Sequence, residues 1–429
     1  MRLSANEEAI AHFTQGLELL KSLADTPERA QGELALQLAL AVPLLASSGY
    51  AAPELSRTYA RARQLCQQIG ETPQLFPTLL LLWMFYATRA EHQTARELGE
   101  QILSLAQRVQ DPLHVALANW APGLTSLYLG EFTLARAHFE QLIAFYDPQQ
   151  HRSLAFLYGQ DPGATSLSWA AWALWFLGYP DQALKRSKEA LALAQELDHP
   201  FTLSFALGIA GLFHHLRCEG QAARECFEAS TELSTEERFA LFEAGAIIEQ
   251  GWVQAEAGQV EDGIAQIRQG LAAWQAMGAG MHLTHYLGML AEAYGKAGQV
   301  QQGLSTLAEA LAFAEKTDER YYEAEILRLK GELLLMQGHE AEAEASFHQA
   351  ESCFQHAIEV ARRQQAKSWE LRAVMSLSRL WQQQGKREEA RQLLAEVHGW
   401  FSEGFDTPDL REAKALLDAL ARDAEMPTE

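Results

Sequence analysis

The residues best suited to metal chemistry in this chain are two histidines and two cysteines, His214, His215, Cys218 and Cys226. His214 and Cys218 share one face of a predicted helix, and Cys226 could return on the next helix, which is a possible zinc arrangement. However, Cys218 occupies a turn position of the repeat described below, and Cys226 is next to the apolar residue Phe227. We therefore favour a surface histidine and a buried thiol, and predict no metal site.

Motifs for catalysis are equally weak. The segment from Gly288 to Ala297 differs from a phosphate-binding loop by two additional residues between its glycines and by Ala297, where magnesium needs a hydroxyl group. His339-Glu340 begins like a zinc-protease helix, but Ala343 stands in place of the second histidine. The sequence has no Gly-x-Ser-x-Gly nucleophile motif. We predict that the protein is not an enzyme, uses no cofactor, and neither hydrolyses nor cyclises ATP.

A repeated spacing of small residues organises the elements that would position any site. A glycine is followed five residues later by Gly or Ala along most of the chain, and Ala90 and Cys218 begin two degenerate copies. The first residues of these units are at positions 90, 130, 178, 218, 258, 298, 338 and 385. Most steps are 40 residues long, which is typical of a helical-repeat solenoid.

In seven of the eight units, a second small residue lies seven positions before the first residue of the unit. Two small positions, one on each helix of a hairpin, allow the helices to cross closely, as in tetratricopeptide repeats. Larger residues should fill the layer below these crossings: Phe139, Phe227, Ile267, Leu307, Phe347 and Leu394. We therefore predict an all-α, tetratricopeptide-like, right-handed superhelical solenoid of about ten antiparallel helix pairs, with a repeat of about 40 residues.

Three regions are expected along the chain. Residues 1–70 should form divergent helical repeats, residues 71–400 regular repeats, and residues 401–429 a capping helix and tail. Within the regular part, an insertion at 147–163 lies between two Asp-Pro turns. A duplicated heptad predicts a lengthened helix at 341–365, because seven residues add about two helical turns with little rotation.

The composition limits the partners. The net charge of −22 repels nucleic acid and anionic lipid, and neither is expected as a partner. Four scattered cysteines and the absence of an apolar leader or membrane-length segment favour the cytoplasm. One basic stretch, 361–391, precedes an acidic stretch. We favour a helix face neutralised by these acidic residues, and a site for an anionic partner stays open.

Several segments resemble a known family: TPERA at 26–30, GYAAPE at 49–54, RELGEQ at 96–101, YDPQQH at 146–151, LGYPDQA at 177–183 and ARRQQAKS at 361–368. They are similar to the C-terminal tetratricopeptide region of bacterial STAND-type ATPases fused to class III adenylate or guanylate cyclases. The resemblance implies a sensor or partner-binding arm. It implies no cyclase or ATPase activity, because this sequence contains neither enzymatic part. The chain departs from the family at Trp120-Ala121-Pro122 and in the heptad after Phe347.

A band of aromatic residues is the candidate site. Trp172, Trp175 and Phe176 occupy helix positions that face the groove of a tetratricopeptide hairpin, where packing within the hairpin does not require large rings. The insertion could act as a lid, or it could equally fold into the groove and bury the rings. The predicted binding residues are Trp120, Tyr128, His151, Tyr158, Asp161, Trp172, Trp175, Phe176, His215 and Trp252.

Two functions of different classes follow. The favoured one is a non-catalytic scaffold or sensor arm of a bacterial signalling system that binds a protein or peptide segment in its concave groove. The alternative is a small-molecule sensor that holds a sugar or metabolite against the aromatic rings. Self-association is left open.

Overall fold

The computed structural model describes residues 2–48, 52–69, 75–337 and 343–422. Within these ranges the chain is helical and contains no β-strand, which confirms the predicted all-α solenoid. The N-terminal helices are α1 (Arg2–Lys21), α2 (Pro27–Ser48) and α3 (Pro53–Ile69). As the sequence indicates, α2 and α3 each begin at a proline, whose fixed φ suits the first helical position.

The remaining helices alternate between two roles. Each A helix except the last, α23, is followed by a B helix that packs against it. The A helices are α4 (Leu75–Thr88), α7 (Trp120–Tyr128), α11 (Pro162–Phe176), α13 (Pro200–Leu216), α15 (Ala240–Glu256), α17 (Leu283–Lys296), α19 (Glu323–Gln337), α21 (Lys367–Gln383) and α23 (Pro408–Arg422). The B helices are α5 (His92–Val109), α8 (Phe132–Phe145), α12 (Pro180–Glu196), α14 (Gly220–Glu237), α16 (Val260–Ala276), α18 (Val300–Thr317), α20 (Ala343–Arg363) and α22 (Arg387–His398). Three short helices lie in connections: α6 (Pro112–Leu117), α9 (Pro148–His151) and α10 (Leu154–Tyr158).

The repeating glycine lies in the turn between each A helix and its B helix, where the backbone is left-handed. The φ values are +76° at Gly130, +86° at Gly178, +91° at Gly258, +68° at Gly298 and +80° at Gly385. Ala90 and Cys218 adopt the same conformation despite their side chains. The turn geometry therefore explains the spacing of the glycines, because glycine alone reaches positive φ without steric cost. Position 338 lies outside the described residues.

The small positions allow the close helix crossings that the sequence predicts. In the α15–α16 hairpin, a Cβ atom on Gly251 would lie 2.7 Å from the backbone nitrogen of Ile267. A Cβ atom on Gly263 would lie 2.5 Å from the carbonyl oxygen of Gly251. In three other hairpins the neighbour is an aromatic ring; for example, a Cβ on Gly211 would lie 2.3 Å from the ring of Phe227.

One packing prediction is wrong. Phe354, not Phe347, fills the layer against Gly331, where an added Cβ would lie 2.4 Å from the ring of Phe354. Phe354 is fully buried, whereas Phe347 is half-buried. The duplicated heptad places both phenylalanines on the same face of α20, so the spacing alone did not distinguish them.

The A helices meet end to end across five repeats. The carbonyl oxygen of Thr88, the last residue of α4, accepts hydrogen bonds from the backbone N–H groups of Gly280 and Met281, just before α17. The carbonyl of Tyr128 at the end of α7 accepts in the same way from Arg320 and Tyr321, just before α19. These contacts join successive turns of the superhelix.

The third end-to-end contact repeats the pattern one unit later. The hydroxyl of Ser368, in the first turn of α21, donates to the carbonyl of Trp175 at 2.5 Å, across 193 residues of sequence. Because the turns close on one another, the A helices are enclosed on most sides. All residues of α11 are buried, while the B helices expose one face to solvent.

Among the described residues, no helix combines the length and the apolar character that are needed to cross a membrane.

A glycine-to-alanine pair tests the cost of the left-handed turn. Gly258→Ala adds a methyl group that meets no atom within 4 Å, so only its φ of +91° opposes the substitution. We expect a loss of about 1 kcal/mol in the free energy of unfolding, measured by urea denaturation. Gly220→Ala is the control. Its added Cβ also meets no atom within 4 Å, but Gly220 is the first residue of α14 and its φ is not positive. Equal losses in the two variants would contradict this account.

Candidate functional site

The aromatic residues predicted to line an open groove lie in the interior of the superhelix. Trp172 and Phe176 have no exposed surface, Trp175 is 3% exposed, and Trp120 and Tyr128 are also buried. The structure therefore differs from the expectation that these rings face solvent. None of the five is available to a ligand on an open surface.

Later A helices, not the insertion, bury most of these rings. The Trp172 ring lies 5.5 Å from His282 and 5.9 Å from Tyr321, measured between ring centroids. Trp175 packs edge-on against Trp369 at 4.9 Å. The covering residues belong to units three to five repeats further along the chain. Closure of the superhelix has thus turned the expected groove surface into core.

The insertion supports helix α11. Asp161 caps this helix by accepting a hydrogen bond from the N–H of Ala164 at 2.8 Å, and it also accepts from the hydroxyl of Tyr146. Burial raises the pKa of Asp161, although these hydrogen bonds oppose that effect. Tyr158 is buried against Trp120, at 6.1 Å between centroids. These contacts explain the insertion as a positioning element.

His151 has local partners as well. Its Nδ1 atom accepts a hydrogen bond from the backbone N–H of Asp147 at 3.0 Å, and its ring lies 5.6 Å from Phe145. In these contacts His151, Tyr158 and Asp161 do not close over an open groove. The predicted lid is therefore not seen in the described residues.

A different surface is open and is lined by many charged residues. A groove of about 560 Å³ is formed where six A helices, α13, α15, α17, α19, α21 and α23, converge. We call it the charged groove. Of the predicted binding residues, His215 and Trp252 line it. Its charged residues are Glu256, Glu292, Lys296, Glu325, Arg328, Glu332, Arg372, Arg379, Asp409 and Glu412.

Arg372 anchors the floor of the charged groove. Its guanidinium donates to Asp409 at 3.0 Å, to the Sγ of Cys218 at 3.0 Å and to the carbonyl of Leu216. The same group lies 5.2 Å from the ring centroids of both Trp175 and Trp369. Arg372 therefore joins the buried aromatic interior to the groove, because its N–H groups donate hydrogen bonds at the groove and its flat guanidinium lies against the two rings.

A second buried pair lies beside it. Arg328 donates two hydrogen bonds to Glu325, at 2.7 and 2.8 Å, and the Glu325 side chain is 2% exposed. Burial alone would raise the pKa of Glu325, but the positive charges of Arg328 and Arg372 lower it below its ordinary value. This carboxylate is thus held ionised by its partners.

The rim of the charged groove carries weaker pairs. Lys296 pairs with Glu256, and their side chains are 41% and 37% exposed. Arg379 pairs with Glu412, and these side chains are 38% and 61% exposed. Together with the contact between Arg372 and Asp409, this second pair neutralises part of the basic stretch with the acidic residues that follow it, as favoured from the sequence. Such half-exposed pairs contribute about 0–1 kcal/mol each.

The histidine and cysteine cluster has other partners. His214 contacts Glu219 at 2.6 Å, and Cys218 lies beside Arg372. In the part of the chain that the structure describes, no group of three or more His, Cys, Asp or Glu residues could hold a metal ion. The partial P-loop match lies within and just after α17, and His339 lies outside the described residues.

A signal for the buried interior was present in the sequence. Helix α4 and helix α11 are apolar around their whole circumference, with runs such as LLLLWMF and WAAWALWF. A helix of this kind is enclosed on all sides, whereas a helix beside an open groove keeps a polar face. The charged groove carried no such local signal, because its residues come from six helices.

The chain has the following similarities to known proteins. No family profile matches it. An uncharacterized protein of Rhizobium meliloti (strain 1021) is 21% identical over 383 residues, which cover 88% of this chain and 36% of that protein. The chain therefore spans little more than a third of that relative's length.

Two solved structures have a similar fold. The Rap protein complexed with Competence and Sporulation Factor has a TM-score of 0.59 at 12% identity, covering 84% of this chain and 99% of that one. The APC/C hetero-tetramer Cut9–Hcn1 has a TM-score of 0.51 at 14% identity, with 85% and 58% coverage. These similarities identify a tetratricopeptide-like solenoid.

The double variant Trp172→Ala and Trp175→Ala tests the burial of the aromatic band. Both rings pack inside the core, and truncating one buried tryptophan typically costs about 3–5 kcal/mol. We expect a large fall in the melting temperature of the double variant. Trp400→Ala is the control. Because Trp400 is 40% exposed, this substitution should lower the melting temperature much less. A near-native melting temperature for the double variant would show that the rings are not core.

Arg372→Met tests the link between interior and groove. Methionine replaces the apolar stem of arginine but leaves Asp409 without its buried partner. We therefore expect a loss of about 3–5 kcal/mol in unfolding free energy. Arg391→Met removes an exposed pair with Glu388 and should change the unfolding free energy far less. Similar losses in both variants, measured by urea denaturation, would contradict a special role for Arg372.

Proposed function

We propose that this chain is a non-catalytic binding scaffold that holds a protein or peptide segment of a partner in the charged groove. The observation that carries the proposal is the mixed charge of this surface, which is half-exposed at the rim. Its lining includes six carboxylates and four Lys or Arg side chains from six helices. A peptide offers both donors and acceptors along its backbone and charged side chains of either sign, so it can match such a surface.

The rim pairs favour exchange with a partner. Lys296 and Arg379 gain little from their present partners, because both pairs are half-exposed. Trp252 is buried at the groove, and its indole N–H has no hydrogen-bond partner among the residues that the structure describes. An arriving carbonyl or carboxylate group could accept from these donors. The surplus of carboxylates makes nucleic acid an unsuitable occupant.

The proposal extends to signalling. The resemblance to repeat arms of STAND ATPases and cyclases supports a role as a sensor or partner-binding arm in a bacterial, cytoplasmic signalling system. The Rhizobium meliloti relative matches over only 36% of its length, which fits a repeat arm within a longer protein. The four free cysteines fit a reducing compartment. A Rap protein of similar fold is complexed with Competence and Sporulation Factor, so the fold is compatible with binding a signalling partner.

The exposed surface does not support the alternative function, in which a sugar or metabolite stacks against the rings of an aromatic groove. The rings it requires, including Trp172 and Trp175, are buried. The charged groove offers Trp252 alone among the predicted tryptophans.

Selection from a phage-displayed peptide library tests the groove. Peptides should be enriched on the wild-type chain at low salt. The double variant Lys296→Glu and Arg379→Glu should bind the enriched peptides at least tenfold more weakly, because it replaces two donors at the rim with carboxylates. Affinities would be measured by fluorescence anisotropy, and melting temperatures would establish that the variant is folded.

The matched control is Lys185→Glu with Lys188→Glu, which changes the net charge equally on the outer helix α12, where both side chains are exposed. This control should bind within about twofold of the wild type. If no peptide is enriched, or if both double variants lose affinity equally, the groove is not the binding surface.

A further inference from the structure

A second candidate site lies inside the superhelix and does not depend on the charged groove. It is an interior cavity of about 80 Å³. This volume could hold about six water-sized groups, because one water occupies about 10–15 Å³ on the same measure. Six aromatic rings line the cavity together with aliphatic side chains: Trp83, Trp169, Phe205, Phe242, Trp274 and Tyr286.

Three residues that line this cavity carry a buried polar atom with no hydrogen-bond partner among the described residues: the side-chain oxygen of Gln160, the hydroxyl of Ser204 and the indole N–H of Trp274. These residues are 7%, 1% and 4% exposed. They come from the segment before α11, from α13 and from α16, so no single element explains them. A buried polar group without a partner costs about 1–3 kcal/mol, and three at one cavity indicate a polar occupant.

The cavity also contains a carboxyl group without a basic partner. Glu249 of α15 is 4% exposed and accepts a hydrogen bond from the hydroxyl of Tyr286. Burial raises the pKa of Glu249 to about 8, against the opposing effect of that hydrogen bond. No Lys or Arg is among the described residues that line the cavity.

The histidine at the cavity cannot supply a positive charge. The two ring nitrogens of His282 contact the hydroxyl groups of Tyr128 at 3.0 Å and Tyr321 at 3.2 Å. Burial lowers the pKa of His282 to about 3, so its ring is neutral at physiological pH. Among the described residues that line the cavity, therefore, no basic side chain matches the charge of Glu249 when this group is ionised.

We propose that this cavity binds a small organic cation, an ammonium or quaternary ammonium compound that also carries a hydroxyl group. The cation would pair with Glu249 and rest against the faces of the surrounding rings, which attract positive charge. A hydroxyl group both donates and accepts, so it suits an unpartnered acceptor such as Gln160 and an unpartnered donor such as Trp274.

Two glycines leave the space that the cation would use. A Cβ atom on Gly245 would lie 3.3 Å from the hydroxyl oxygen of Tyr286 and 3.5 Å from the ring of Trp274. A Cβ atom on Gly208 would meet only the hydroxyl of Ser230, at 3.5 Å. Gly208 can therefore accept a methyl group without a clash, and that methyl would narrow the cavity.

Binding of choline tests the proposal, with 3,3-dimethyl-1-butanol as its neutral isostere. Titration calorimetry and thermal shift at pH 8.5, above the pKa of Glu249, should detect choline and give a dissociation constant at least tenfold weaker for the isostere. Sodium chloride at matched ionic strength controls for salt. If choline neither binds nor raises the melting temperature, or if the isostere binds equally well, the proposal is wrong.

Variants locate the site. Glu249→Gln should weaken choline binding at least tenfold while the melting temperature is kept or raised, because an unpaired buried carboxyl is removed. Glu243→Gln, on the same helix but outside the cavity lining, should bind as the wild type does. Gly208→Ala should also weaken binding, with unchanged or higher stability. Binding within twofold of the wild type in either Glu249→Gln or Gly208→Ala would overturn the assignment.

Discussion

The end-to-end contact between A helices five repeats apart is the constraint on which the rest of this structure depends. Carbonyl groups at the ends of α4 and α7 accept hydrogen bonds from N–H groups just before α17 and α19. The negative end of one helix dipole thus meets the positive end of another, which is favourable, and otherwise unpaired terminal groups are satisfied. A solenoid closed in this way has an interior, whereas an open one has only a groove.

Closure divides the inner surface into two environments. Around α11, tryptophan, tyrosine and histidine rings from both early and late repeats pack against one another away from solvent. Toward the later repeats the same inner positions carry charged residues and remain open as the charged groove. Arg372 lies at the boundary, with its faces on Trp175 and Trp369 and its donors directed at Asp409 and Leu216.

The two candidate sites differ in what they offer a ligand, although α13, α15 and α17 line both. The charged groove has half-exposed ion pairs that a peptide can replace at little cost. The interior cavity has buried polar groups without partners among the described residues, and its volume of about 80 Å³ suits only a small molecule. Glu249 and Trp252 are three residues apart on α15, yet one faces the cavity and the other lines the groove.

The sequence by itself determined the local features of this protein. The repeat length, the left-handed turns at Gly130 and Gly258, and the close crossing at Gly251 all depend on residues near one another in the chain, whose geometry neighbouring side chains decide. Tertiary structure alone decided the burial of Trp172, because its covering partners His282 and Tyr321 are more than a hundred residues away. It also decided the choice of Phe354 over Phe347. Closure results from a small rotation at each of five repeats, and no local spacing encodes that sum.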